Sequence, residues 1–166
     1  MLSALQPSAA PVAAPRPIAP NPFTDRGRID DAPRFFGREA ELQRIFNALD
    51  RHECVSIIGS NHTGRSSLLH QVAMQGASKL QARCAYLTLE VCSNDRSFFE
   101  YACERLGGKG ERDRDLRRLI EAGRVILCLD DMERLNAKGF SEHLRSFLRG
   151  MANGQSAPLT LVVAAA

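Results

Sequence analysis

Four short apolar runs, each separated from the next by a segment of helical periodicity, restrict this chain to one architecture. The runs are Cys54 to Ile58, Cys84 to Leu89, Val125 to Leu129 and Leu159 to Val163. Each is too short for a core helix and apolar at successive positions, so each reads as a strand covered on both faces. Before the first run, Leu42, Ile45, Phe46 and Leu49 form one helical stripe. A second helix starts near Ser66 and carries Leu68, Leu69, Val72 and Ala73; a third, which Ser97 can cap, carries Phe98, Phe99, Ala102 and Leu106. Gly107 to Arg114 reads as a loop, followed by a short helix with Leu116, Leu119 and Ile120 and by another from Phe140 to Met151. This alternation predicts an α/β fold in three layers, a parallel sheet between helices, with all strand carboxyl ends along the edge where ligands bind.

At the end of the first run stands Gly59-Ser60-Asn61-His62-Thr63-Gly64-Arg65-Ser66, followed by Ser67. This is the spacing G-x-x-x-x-G-K-[ST], with Arg65 in place of lysine, and it joins a strand to a helix as that motif must. The glycines allow a tight turn whose N–H groups converge on a phosphate, and the helix start adds unpaired donors and partial positive charge. Gly59 through Ser67 are therefore candidates for binding phosphates, and Ser66 for giving its hydroxyl to Mg²⁺. A glycine-bounded turn without a ligand is the alternative. Inside the loop, the backbone of His62 matters more than its ring.

The third run ends in Asp130-Asp131. A carboxylate at a strand's carboxyl end beside a phosphate loop can hold the Mg²⁺ shell, and the next can orient or deprotonate attacking water. Asp130 takes the metal role and Asp131 the catalytic one, with Glu133 as a substitute for the latter. Alone, two aspartates would read as a turn or a helix cap; in order with the loop they read as the second half of a nucleotide site.

Seven of the eight prolines lie in the first 33 residues, and removing that stretch leaves 133 of 166 residues, enough for one domain. Residues 1–20, mostly Ala, Pro and Ser, read as a disordered tail. Residues 21–36 read as a lead-in that packs on the core, and residues 37–166 as the core. No apolar run approaches the ~20 residues of a membrane span, and prolines interrupt any secretory leader, so the expected location is cytoplasmic. The five cysteines lack C-x-x-C spacing and fit reduced structural thiols. A formal charge of +3 with two tyrosines and no tryptophan argues against nucleic acid as a partner. The run from Lys109 to Arg118 is nearly balanced in charge, and Arg145 and Arg149 read as a solvated helix face rather than as a finger acting on a second copy.

Asn21-Pro22-Phe23, Gly27, Asp30, Phe35-Phe36-Gly37-Arg38-Glu39, the loop ending in Ser66-Ser67-Leu68-Leu69, and Leu129-Asp130-Asp131 together resemble the AAA-like, STAND-type P-loop ATPases of bacteria, over residues 21 to 166. The resemblance implies ATP and Mg²⁺ as ligands. It also implies a sheet with the fourth strand between the first and third, a fifth strand flanking the first, and a helical lid. It gives Gly37, Arg38 and Glu39 a place near adenine and ribose, against the alternative of a turn that caps the next helix. The fifth strand and lid are expected to be missing, as in a fragment, which leaves the first strand as an apolar edge suited to self-association or a protein partner. Arg65, and the absence of a polar side chain among Ala164, Ala165 and Ala166, point to weak hydrolysis or a nucleotide-gated switch. A catalytically inactive scaffold acting through protein contacts is the alternative.

Overall fold

The apolar runs form four strands, β1 (Val55–Ile58), β2 (Arg83–Thr88), β3 (Val125–Asp130) and β4 (Leu159–Ala165). The computed structural model describes residues 28–29, 35–60, 62–136, 139–154 and 157–165. The expected tail, and the lead-in apart from Arg28, Ile29, Phe35 and Phe36, lie outside these residues.

All pairings are parallel and the order is β1-β4-β3-β2, with the fourth strand between the first and third as the resemblance implies. All six residues of β3 are buried, as a strand with neighbours on both sides and helices on both faces must be. At the edge, β1 buries only Ile57 fully, and Ile58 is 79% exposed.

Alternation along the strands divides the core into two clusters. Ile57, Tyr86, Ile126, Cys128, Val162 and Ala164 face α1 (Glu39–Asp50) and α2 (Arg65–Leu80). Leu87, Val125, Leu127, Leu129 and Leu159 face α3 (Asp95–Arg105), α4 (Asp113–Glu121) and α5 (Glu142–Met151). In α1 the buried residues are Leu42, Ile45, Phe46 and Leu49, the stripe expected, and Glu39 and Glu41 in the first turn suit its positive amino end. Each fully buried large side chain of this kind contributes ~1.5–3 kcal/mol of burial free energy.

Several boundaries differ from expectation by a residue or two, Leu89 among them, which leaves β2 for a 3₁₀ turn, and three differences have a clear physical cause. Ser97 is not the cap of α3: Asn94 is, its side chain accepting from the Ser97 N–H while Ser97 Oγ accepts from the Asn94 N–H, a reciprocal capping box. The helix expected from Phe140 starts at Glu142, capped by Ser141, whose N–H donates to Asp95 Oδ1 at 2.9 Å. Lastly, β4 runs on to Ala165, so Ala164 and Ala165 complete the strand rather than trail it, and Ala164 is buried. No helix among the described residues is long and apolar enough to cross a membrane.

Candidate functional site

The loop after β1 and the carboxyl end of β3 lie at the same edge of the sheet, separated by β4. Leu129 is in register with Val163, and Val163 with Ser56, so Asp130 follows at the level of Ala164 and Ile57. No polar side chain of β4 stands between the two halves.

The loop turns as its glycines allow. Gly64 is the residue before α2 and has φ +77°, in the left-handed region where a side chain is strained. A Cβ on Gly59 would fall 3.0 Å from Thr63 Oγ1, which donates to the Ser60 carbonyl at 2.8 Å. His62 also has positive φ, 64°, and its ring lies on an exposed residue. Asn61 lies outside the described residues. Arg65 and Ser66 open α2 and are half-buried; Ser67 is buried and its Oγ accepts from the Ile29 N–H at 2.9 Å.

Arg38 supplies a contact the sequence did not suggest. Its Nη1 donates to the carbonyls of both Thr63 and Gly64 at 3.0 Å, while its Nε pairs with Glu41. In a trans peptide the carbonyl and the following N–H point opposite ways, so this grip turns the Gly64 and Arg65 N–H groups away from Arg38. Those two groups lie at the helix start, where intrahelical partners are lacking. Gly37 next door has φ +81°, and its N–H donates to Glu39 Oε1 at 3.0 Å, so the segment turns into α1, with no side-chain cap from Arg38 at its start.

Asp130 is 5% exposed. Its Oδ2 accepts from the Tyr86 hydroxyl at 2.6 Å and its Oδ1 from the Asp131 N–H at 3.1 Å. Burial first, then the bond to Asp130, pushes the Tyr86 hydroxyl above the ordinary phenol range, against an opposing pull from Arg28, so it stays a donor. Asp131 stands at φ 57°, a conformation aspartate tolerates, and accepts from Thr88 Oγ1 at 2.9 Å. Burial chiefly raises its pKa; the Thr88 bond opposes this, and the charges of Asp130, Glu133 and Glu90 add to it. Glu133 is exposed on the short 3₁₀ turn Met132–Asn136.

Tyr86 and Thr88 are site residues that the sequence reading missed. Their signal was present: two polar residues at i and i+2 near the end of an otherwise apolar strand share one face. Arg145 is held by Glu142 and the Leu135 carbonyl, and Arg149 by Glu142, so both serve their own helix and the adjacent turn.

Chemically, this sheet edge carries hard oxygens, the Ser66 hydroxyl after β1 and the Asp130 and Asp131 carboxylates at the end of β3, β4's other neighbour, the kind of donor Mg²⁺ prefers. Beside it lies a glycine-bounded turn at a helix amino terminus, the arrangement that receives phosphate.

A comparison with curated proteins finds no match. Among solved structures, a Walker-type ATPase of Pyrococcus abyssi is similar, with a TM-score of 0.53 and 18% identity over 85% of this chain and 48% of that one. The likeness is one of fold, and this chain spans about half the length of that structure. The model of the family described as novel STAND NTPase 1 matches residues 24–166. With the loop after β1, the carboxylates after β3 and the strand order all in agreement, this chain belongs to the novel STAND NTPase 1 family and carries an NTPase-like domain.

Proposed function

We propose that the domain binds ATP with Mg²⁺ and acts as a slow ATPase or a nucleotide-gated switch. The observation that carries this reading is the Arg38 grip on the Thr63 and Gly64 carbonyls, which turns neighbouring N–H groups to one side of the loop. Phosphate would be received by the backbone from Gly59 to Ser67 and by the Arg65 guanidinium. Ser66 and Asp130 are the residues to hold Mg²⁺, which when bound neutralises charge on the phosphate oxygens. Asp131, steadied by Thr88, would orient the attacking water and take its proton. ATP is favoured over GTP because the chain has no Asn-Lys-x-Asp sequence to read guanine.

Slow turnover follows from Arg65, which is longer and planar where a lysine would place a slender charge between phosphates. Ala164 and Ala165 add to it, since neither side chain can hydrogen-bond a phosphate. The same two features favour a second reading, an inactive scaffold, and the exposed Ile58 on the edge strand β1 gives it a surface for a protein partner or a second copy.

Titration of the folded chain with a fluorescent ATP analogue, with and without Mg²⁺, separates the two. Binding that tightens with Mg²⁺ is expected; no binding at millimolar nucleotide would leave the scaffold. Tight binding without phosphate release would select the switch over the enzyme.

A further inference from the structure

The short stretch at Arg28 and Ile29 is distant in sequence from both halves of the site and touches both. The Ile29 N–H donates to Ser67 Oγ, one residue from the Ser66 hydroxyl. The Arg28 guanidinium lies over the Tyr86 ring, 4.5 Å from its centroid, and the hydroxyl of that ring holds Asp130. On another side, His70 of α2 packs edge-on against the ring at 5.5 Å and 78°.

Tyr86 is thus fixed at its ring and directed at its hydroxyl. An aspartate carboxylate turns freely about its last bond unless donors hold it, and here the two oxygens have one each, Tyr86 on Oδ2 and the Asp131 backbone on Oδ1. The backbone donor comes with the strand, whereas the phenol is a choice of side chain: phenylalanine would fill the same buried space without a donor. Groups that orient a metal-side carboxylate in this manner set its affinity for the cation.

We infer that Tyr86 is a positioning residue for the Asp130 carboxylate, and that Arg28, over the Tyr86 ring, and Ile29, on Ser67, steady it from the side of the phosphate loop. The inference rests on the ATP and Mg²⁺ reading above. It makes Mg²⁺ binding sensitive to Arg28, which contributes no ligand, because loss of its contact loosens one side of a ring that burial and His70 still hold.

The test measures affinity for the fluorescent ATP analogue in EDTA and in excess Mg²⁺, for the unsubstituted chain, Tyr86→Phe, Arg28→Ala and the control Tyr101→Phe, with thermal melts to establish folding. Tyr86→Phe keeps the ring for Arg28 and His70, so affinity in EDTA should stay within about twofold. The tightening produced by Mg²⁺ should fall about tenfold. Arg28→Ala should lose about threefold of that tightening, the size of a lost contact between a cation and a ring face. Tyr101→Phe should lose none. Equal weakening with and without Mg²⁺ would make Tyr86 a merely structural residue and overturn the inference, as would full retention of the Mg²⁺ effect. Nucleotide binding by the unsubstituted chain with no Mg²⁺ effect would also overturn it, while leaving nucleotide binding intact. No binding by the unsubstituted chain would remove the ATP reading along with it.

Discussion

Replacing Gly76 with alanine sets two opposed free-energy terms against each other where α2 packs on Cys84 of β2. Glycine inside a helix is less favourable than alanine by ~1 kcal/mol, so helix propensity alone predicts stabilisation. The added Cβ, however, would sit 2.6 Å from Cys84 Sγ, well inside van der Waals contact, with Cys84 Cβ at 3.6 Å and Phe46 Cε1 at 4.0 Å behind it. Relieving such an overlap in a packed layer costs ~1–3 kcal/mol. The net expectation is destabilisation by about 1 kcal/mol, obtained from an overlap term near 2 and a propensity term near 1. Removing the offending sulfur should reverse the sign: in a Cys84→Ala background the remaining contacts are ordinary, and Gly76→Ala should stabilise by up to ~1 kcal/mol. Urea unfolding followed by far-ultraviolet circular dichroism on the four chains gives the coupling, expected near 2 kcal/mol against ~0.5 for independent sites. If Gly76→Ala stabilises both backgrounds equally, the close approach of α2 to β2 is refuted.

Arg65→Lys should raise the rate of phosphate release without weakening nucleotide binding, as measured by single-turnover hydrolysis; an unchanged rate would point to the missing polar contribution from β4. Arg38→Ala removes the donor to two loop carbonyls and should weaken nucleotide affinity about fivefold in the presence or absence of Mg²⁺, the effect of about 1 kcal/mol at a half-exposed site. Among the five thiols only Cys54 is exposed, while burial pushes Cys84 up to about 11 and raises Cys92, Cys103 and Cys128. Alkylation of the native chain at pH 8 should therefore modify one cysteine quickly and the other four only in denaturant, read by mass spectrometry.

The strands were legible because β-branched and apolar residues cluster between polar turns, and a strand buried on both faces has little other composition available to it. Helix starts were less so. Asn94 and Ser97 are both capping residues, and only the direction of their hydrogen bonds decides which one stands at the boundary. That the glycine-bounded turn after β1 and Asp130-Asp131 share one sheet edge was readable because each is a contiguous motif joined to a strand. By contrast, Arg38 meets the loop from 25 and 26 residues away, and Tyr86 meets Asp130 from 44. Such contacts are products of strand order and helix packing, which set side chains face to face that no local spacing relates. In Gly37-Arg38-Glu39, likewise, the glycine marks a turn ahead of α1, whereas the reach of Arg38 to the loop has no local signal.

The pairing of β1 with β4 bears on the order in which the molecule comes together. In the described sheet β1 has β4 as its neighbour, and the Leu161 N–H reaches Cys54 Sγ across 107 residues of chain. At a synthesis rate of about 5–20 residues per second, the β1 segment waits roughly 5–20 s for the segment that will pair with it. During that interval the loop of Gly59 to Ser66 hangs from a strand without a ladder, while β2 and β3 can already zip together. Parallel pairing at such separation is also slow to nucleate, because the entropy of closing the intervening chain is lost before any ladder bond is gained. Within the described sheet, the β1–β4 ladder therefore forms after the β2–β3 ladder can, and capture of the waiting β1 segment by other chains would be felt there first.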